Sequence, residues 1–277
     1  MRSNREGALK IRVNGVELAY RLDGEGPWLL MSHSIACDLS MWDAQVAAFS
    51  ARFRILRYDL RGHGASELTP GPYTLDMLAE DAHGLLAALG IEHCHWLGLS
   101  IGGIIGQVFA LKYPGMLDTL VLADTASRMP PEALPGWDER IRLATASGMA
   151  GMLEPNLGRW FTPGFRAREP EIVAKISRLV LATPVAGYVG CAHAVPTINV
   201  THRLKEVRCP ALVIVGELDP TSPPAMAREI HEALPGSELA VIASAAHLCN
   251  IEQPRAFNRV LGDFLERHRR RRMNAVR

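Results

Sequence analysis

The run Trp96-Leu97-Gly98-Leu99-Ser100-Ile101-Gly102-Gly103-Ile104-Ile105-Gly106 restricts the fold of this chain more than any other stretch. Apolar residues lead up to Gly98, and helix-like spacing starts directly after Ser100. Between them, Gly98-x-Ser100-x-Gly102 has the strand–turn–helix spacing of a nucleophile elbow. A serine on so sharp a turn has strained backbone angles, so the residues two before and two after it must carry no side chain that would clash. The turn lifts the hydroxyl clear of the sheet and points the free N–H groups of the new helix at whatever the serine attacks. By itself the pentapeptide also fits a glycine-rich turn with an idle serine. The rest of the chain decides between the two.

Upstream, residues 8–13 and 16–22 alternate apolar and polar around Asn14-Gly15, a two-residue hairpin signal. Trp28-Leu29-Leu30-Met31 and Arg54-Ile55-Leu56-Arg57-Tyr58 read as buried strands, with a helix expected over 39–50 between them. Arg61-Gly62-His63-Gly64 then forms a tight turn, and residues 74–89 follow helical spacing to a stop at Gly90. The elbow strand and helix end near Tyr113-Pro114-Gly115, and Leu117 to Ala123 is the next strand. A hairpin followed by alternating strands and helices calls for a mostly parallel sheet covered on both faces.

That rhythm breaks over residues 125–205. The segment is helical in patches (137–147 and 169–182), interrupted by prolines, too long for one crossover helix and too apolar for a linker. It reads as a helical cap inserted into a core made of 1–124 and 206–277. Strands resume at 211–215 and 238–242, with helices over about 223–234 and 254–268.

Composition excludes several classes. A formal charge of +1 provides no general field for nucleic acid or an anionic membrane. Five cysteines without C-x-x-C spacing do not suggest a disulfide framework or zinc site. Residues 1–7 lack the apolar core of a signal peptide, and no run of about 20 apolar residues is free of charges and breakers. The expectation is a cytoplasmic protein with a small-molecule partner, and self-association is left open. The basic run from Arg267 to Arg272 reads as a solvated, frayed end.

A serine needs a base, usually histidine, held by a carboxylate. In an open parallel sheet, working groups collect beyond the carboxyl ends of the strands. Asp219 lies just past strand 211–215 and His247 just past strand 238–242, so the order Ser100, Asp219, His247 matches the one that accompanies this elbow. Asp124 also follows a strand and competes as the acid, but it stands where the cap departs. Acyl transfer also needs oxyanion donors. By position these are the N–H of Ile101, after the serine, and that of Ile35, in the loop after strand 28–31.

The chain resembles the α/β-hydrolases over nearly its whole length: Arg61-Gly62-His63-Gly64-Ala65-Ser66, the elbow, the cap, the acid loop and the last histidine. More narrowly, it is similar to the 3-oxoadipate enol-lactonases in Met41-Trp42-Asp43, Leu56-Arg57-Tyr58-Asp59, Thr69-Pro70-Gly71-Pro72-Tyr73, Arg159-Trp160-Phe161-Thr162-Pro163 and Ala245-Ala246-His247-Leu248. It departs from them at His33-Ser34-Ile35-Ala36, where they usually carry Asn-Ser-Leu-Gly. The resemblance implies an α/β-hydrolase fold and a cofactor-free, metal-free serine hydrolase acting on a lactone or small ester. A general carboxylesterase, an acyl-homoserine lactonase, a perhydrolase and a non-catalytic receptor stay open beside it. For an anionic lactone, Arg128, Arg140 and Arg159 are the available cationic partners in the cap, and Trp160 could wall the ring. His93-x-His95 lacks an acidic ligand pattern and reads as packing, and Cys249 as a buried small hydrophobe.

Overall fold

Asn14 and Gly15 both adopt positive φ, 44° and 73°, the geometry of a tight hairpin turn whose twist suits the flanking strands. They join β1 (Leu9–Val13) to β2 (Val16–Asp23) in antiparallel register, Val13 opposite Val16. The computed structural model describes residues 8–275, with side chains described as far as residue 268. Residues 1–7 and the arginine side chains after His268 lie outside the described residues.

Six further strands complete one sheet: β3 (Trp28–Ser32), β4 (Arg54–Tyr58), β5 (Cys94–Leu99), β6 (Leu117–Ala123), β7 (Ala211–Gly216) and β8 (Glu238–Ile242). Their order is β1-β2-β4-β3-β5-β6-β7-β8, parallel from β4 through β8. The central strands are buried on both faces, which is why they read as continuous apolar runs rather than as alternation. From β3 the chain moves to β4 on one side, and from β5 to β6 on the other. The crevice between the carboxyl ends of β3 and β5 is therefore the switch point, where an open sheet of this kind holds its ligand.

Helices α1 (Asp43–Phe49), α2 (Leu75–Ala88) and α3 (Ile101–Lys112) connect these strands. The helix expected over 39–50 is split. A 3₁₀ turn at Leu39–Trp42, capped by the Asp38 carboxylate on the Ser40 N–H at 2.8 Å, precedes α1. Thr74 caps α2 by accepting the Met77 N–H at 3.1 Å, and Gly90 ends it at φ 67°.

Between β6 and β7 the chain forms α4 (Leu134–Trp160), α5 (Pro163–Arg168), α6 (Pro170–Ala182) and α7 (Val185–Ala194). The expected patch 137–147 is the first half of α4, which breaks at Gly148 (φ 66°) and then runs on to Trp160. Helix α7 has no counterpart in the sequence reading. It is buried at Gly187, Tyr188, Gly190, Cys191, Ala192 and Ala194, so no polar stripe marks its period. The two ends of the insertion meet: the Val200 N–H donates to Ser127 O at 2.7 Å, and Arg128 bridges Asn199. Helices α8 (Pro224–Ala233), α9 (Cys249–Glu252) and α10 (Pro254–Ala275) finish the chain. Because α10 runs to Ala275, the backbone of the basic end is helical rather than frayed. Among the described residues, no single helix is long and apolar enough to cross a membrane.

Candidate active site

Ser100 sits between β5 and α3 at φ 55°, ψ −119°, a conformation that costs a non-glycine residue of order 1–3 kcal/mol. Surrounding contacts impose it. The Ser100 N–H donates to Ala123 O at 2.9 Å, and its carbonyl accepts from the Thr125 hydroxyl at 2.8 Å as well as from the N–H groups of Gly103 and Ile104. The flanking glycines are required by space: a Cβ on Gly98 would stand 2.1 Å from Gly102 O, and one on Gly102 would stand 2.1 Å from Ser32 O. The second contact binds the elbow against the end of β3, across the switch-point crevice.

Ile35 follows β3 on the far side of that crevice. Neither its N–H nor that of Ile101, in the first turn of α3, forms a hydrogen bond among the described residues. The Ile35 loop is fastened by His33, which is fully buried. Its Nδ1–H donates to Ser34 O at 2.7 Å, and its Nε2 accepts the Leu60 N–H at 2.9 Å. The second bond requires the neutral ring, and burial pushes its pKa down to about 4. His63, packed 5.6 Å away between ring centroids, is pushed by burial and then by His33 to about 3.

The structure brings Asp219 and His247 together from the ends of β7 and β8. His247 Nδ1 is 2.8 Å from Asp219 Oδ2, both side chains being buried. The other carboxylate oxygen accepts the N–H groups of Thr221 (2.7 Å) and Ser222 (3.1 Å). Leu218 N–H to Ala245 O, 2.8 Å, ties the two loops to each other. With Nδ1 occupied by the carboxylate, Nε2 is the nitrogen left to exchange a proton with a nucleophile.

Asp124 is also fully buried, at the end of β6. Its Oδ1 accepts the Gly216 N–H at 2.7 Å, whereas Oδ2 has no partner of good geometry, although the Cys249 thiol and N–H face the carboxyl. Burial, then the nearby Asp219 charge, raises its pKa well above the carboxylate range. The Cys249 thiol is pushed up too, by burial and then by Asp124, which makes it a poor nucleophile.

Ser100 opens onto a cavity of about 240 Å³ lined also by Thr125, Trp137, Arg140, Thr221 and Met226. The Arg140 guanidinium lies 4.4 Å from the Trp137 ring centroid. Arg159 and Tyr188 are its neighbours. Burial, and then the Arg140 charge, push Arg159 down to about 10. Arg159 donates to Asn156 Oδ1 at 2.7 Å, and Asn156 Nδ2 is buried without a partner. Among the described residues neither guanidinium has a carboxylate partner.

Two expectations for the insertion need correction. Arg128 does not face the cavity; it is half-exposed and ion-paired with Glu229 of α8. Trp160 does not line the cavity either. It is buried at the end of α4, where its carbonyl accepts the Leu248 N–H at 3.1 Å. The aromatic wall is Trp137, three residues before Arg140 and so on the same helix face; that spacing was the available signal. Tyr188 and Asn156 had none. His95, of the discounted pair, bonds the Thr119 hydroxyl at 2.9 Å.

A family model described as the alpha/beta hydrolase fold matches residues 27–254. The chain is 35% identical to 3-oxoadipate enol-lactonase 2 of Acinetobacter baylyi, over 91% of its own length and 94% of the relative's. Among solved structures, it superposes on the enol-lactonase from Burkholderia xenovorans LB400 with a TM-score of 0.90 at 38% identity, covering 93% of this chain and all of that one. A thermophilic esterase from Thermogutta terrifontis gives a TM-score of 0.90 at 31% identity, covering 95% of this chain and all of that one.

Proposed function

The chain belongs to the alpha/beta hydrolase fold family, and from that premise we propose that it is a serine hydrolase opening a small lactone that carries a carboxylate, of the enol-lactone kind. The observation that carries this reading is the pair Arg140 and Arg159. Two partly buried guanidiniums without a carboxylate partner, beside the cavity onto which Ser100 opens, repel one another until an anion enters. The similarity to enol-lactonases supports the same reaction class.

In this reading Ser100 Oγ attacks the lactone carbonyl while His247 Nε2 takes its proton, and Asp219 holds Nδ1–H and stabilises the imidazolium. The N–H groups of Ile35 and Ile101 receive the oxyanion as the carbonyl becomes tetrahedral. Collapse breaks the ring C–O bond, and His247 returns the proton to the leaving oxygen. From an enol lactone this oxygen becomes that of a ketone, which drives ring opening forward. Water then attacks the acyl-enzyme, His247 acting again as base, and releases the free acid and Ser100. Side chains and backbone N–H groups fill every role.

Kinetics on 3-oxoadipate enol-lactone, an acyl-homoserine lactone and a neutral short-chain ester test the proposal, each with Ser100→Ala as control. The enol-lactone should exceed the neutral ester in kcat/KM by at least ~30-fold, the lower end of what a buried charge pair contributes. Equal rates on all three would make the protein a general carboxylesterase. Turnover surviving Ser100→Ala would remove the serine mechanism.

A further inference from the structure

His247 is the middle residue of three, and both of its neighbours are linked to the junction of α4 and α5, Leu248 directly and Ala246 through Glu252. On one side, the Leu248 N–H donates to Trp160 O at 3.1 Å. On the other, the Ala246 N–H donates to Glu252 Oε2 at 2.9 Å, and the same carboxylate receives the Thr162 N–H at 3.2 Å and the Thr162 hydroxyl. Thr162 and Glu252 are 90 residues apart in sequence, so this is a contact between the helical insertion and the loop after β8.

Glu252 is only 5% exposed, and among the described residues no cation pairs with it. Its carboxyl oxygens accept from donors of two separate segments, Ala246 and Thr162, so it bridges them. The consequence is geometric. Any displacement of the α4 end is passed to the residues before and after His247, while His247 itself is held to Asp219 from the other side. Arg159 immediately precedes Trp160, so the guanidinium that interacts with Arg140 and the imidazole share one frame.

We infer that Glu252 is a positioning residue: through Thr162 it locks the end of the helical insertion to the His247 loop, so that the cavity's cationic side and the imidazole keep a set distance. The inference rests on the proposed role of His247 for its catalytic meaning, though not for its geometry. It also accounts for two sequence motifs, Arg159-Trp160-Phe161-Thr162-Pro163 and Ala245-Ala246-His247-Leu248, which are bonded to each other.

The test uses Thr162→Val, Thr162→Ser, Glu252→Gln and the double variant Thr162→Val/Glu252→Gln in the full chain. Four quantities are read: thermal midpoint, kcat and KM on a neutral ester, and the proton resonance of the His247 Nδ1–H in the bond to Asp219. Thr162→Val should move that resonance and lower kcat on the order of tenfold with KM nearly unchanged, as a sub-ångström misplacement does. Thr162→Ser, which keeps the hydroxyl, should restore both. The losses should not add in the double variant, because either change weakens the same link. Should Thr162→Val lower the midpoint yet leave resonance and kcat in place, Glu252 is a brace and the inference is wrong. Additive losses would overturn it too. Should Glu252→Gln fail to fold, the Thr162 pair still decides. A resonance that moves in a protein that hydrolyses no ester or lactone would uphold the coupling and sink the proposed function instead.

Discussion

Asp124 and Asp219 are neighbouring buried carboxyls with unequal sets of donors. Asp219 receives two backbone N–H groups and His247 Nδ1, whereas Asp124 receives the Gly216 N–H and leaves Oδ2 without a well-aligned partner. Burial, and then the nearby Asp219 charge, push the Asp124 carboxyl well above the usual carboxylate range, so Asp124 is held neutral.

A pair of isosteric substitutions tests this assignment. Asp124→Asn replaces a neutral acid by a neutral amide that can still accept the Gly216 N–H, so ester turnover and its pH profile should stay close to wild type. Asp219→Asn removes the charge that orients the imidazole and should cut kcat by about 10²–10⁴. A disabling Asp124→Asn beside a harmless Asp219→Asn would reverse the two roles.

The elbow makes a prediction about stability. Every atom that a Gly98 Cβ would strike within 2.6 Å belongs to the backbone of Gly102 or Gly103, which cannot move without unwinding the first turn of α3. Gly98→Ala should therefore destabilise the protein by roughly 3–5 kcal/mol or prevent folding. Gly158→Ala, in the second half of α4 with nothing within 4 Å of the new Cβ, should be neutral or stabilising by up to ~1 kcal/mol. Urea midpoints for the two variants compare them directly, and equal midpoints would mean that the close approach at Gly98 relaxes freely.

Acid should weaken the fold through His33 and His63. Their folded pKa values, about 4 and about 3, lie below the unfolded value, so their contribution is fully present above roughly pH 6.5. It is lost as pH falls through that window toward 3, because the unfolded chain takes up protons that the buried rings refuse. Asp59, raised by burial to about 6, has the opposite sign and gains stability over part of the same range. The comparison must therefore be made between wild type and His33→Asn, which have Asp59 in common. Asparagine can still donate to Ser34 O from the Nδ1 position and does not titrate, so the comparison is of the change in stability with pH rather than of its absolute value. The variant should lose less stability than wild type between pH 7 and 5 in urea melts. Parallel losses would mean that His33 is not the group taking up the proton.

What the sequence made legible was mostly what lies at strand ends. Ser100, Asp219 and His247 each follow a strand of a parallel sheet, and position along such a strand is one-dimensional information. The alternation of strand and helix likewise leads to the sheet. Side-chain direction within the insertion is a different matter. Arg128, Arg140 and Arg159 look alike in sequence, and what separates them is Glu229, 101 residues from Arg128, which holds that arginine outward. Trp160 is the aromatic wall the sequence suggests, whereas the cavity is lined by Trp137, on the half of α4 before the break at Gly148. Helix α7 was missed because it is apolar on nearly every side, and Glu252 because a lone acid after a loop carries no pattern at all.

The same contrast among arginines yields the sharpest prediction on specificity. If the substrate carries a carboxylate, the cavity must replace the hydration that this anion gives up on entry. Arg140 lines the cavity beside Ser100, and Arg159 is its neighbour, so each should matter for the anion and little for an uncharged ester. Losing a charged hydrogen bond of this sort costs about 2–5 kcal/mol when the partner anion is left buried. Arg140→Leu and Arg159→Leu should therefore lower kcat/KM for the anionic lactone by that amount while sparing a neutral ester of similar size. Relief of the mutual repulsion between the guanidiniums makes the double variant less than additive. Arg128→Leu only breaks a surface pair with Glu229 and should leave both substrates untouched. Steady-state kinetics of the variants on the two substrates would decide. Equal losses on lactone and ester, or none on either, would mean that the insertion reads shape rather than charge, and the neutral-ester reading would take the place of the lactone.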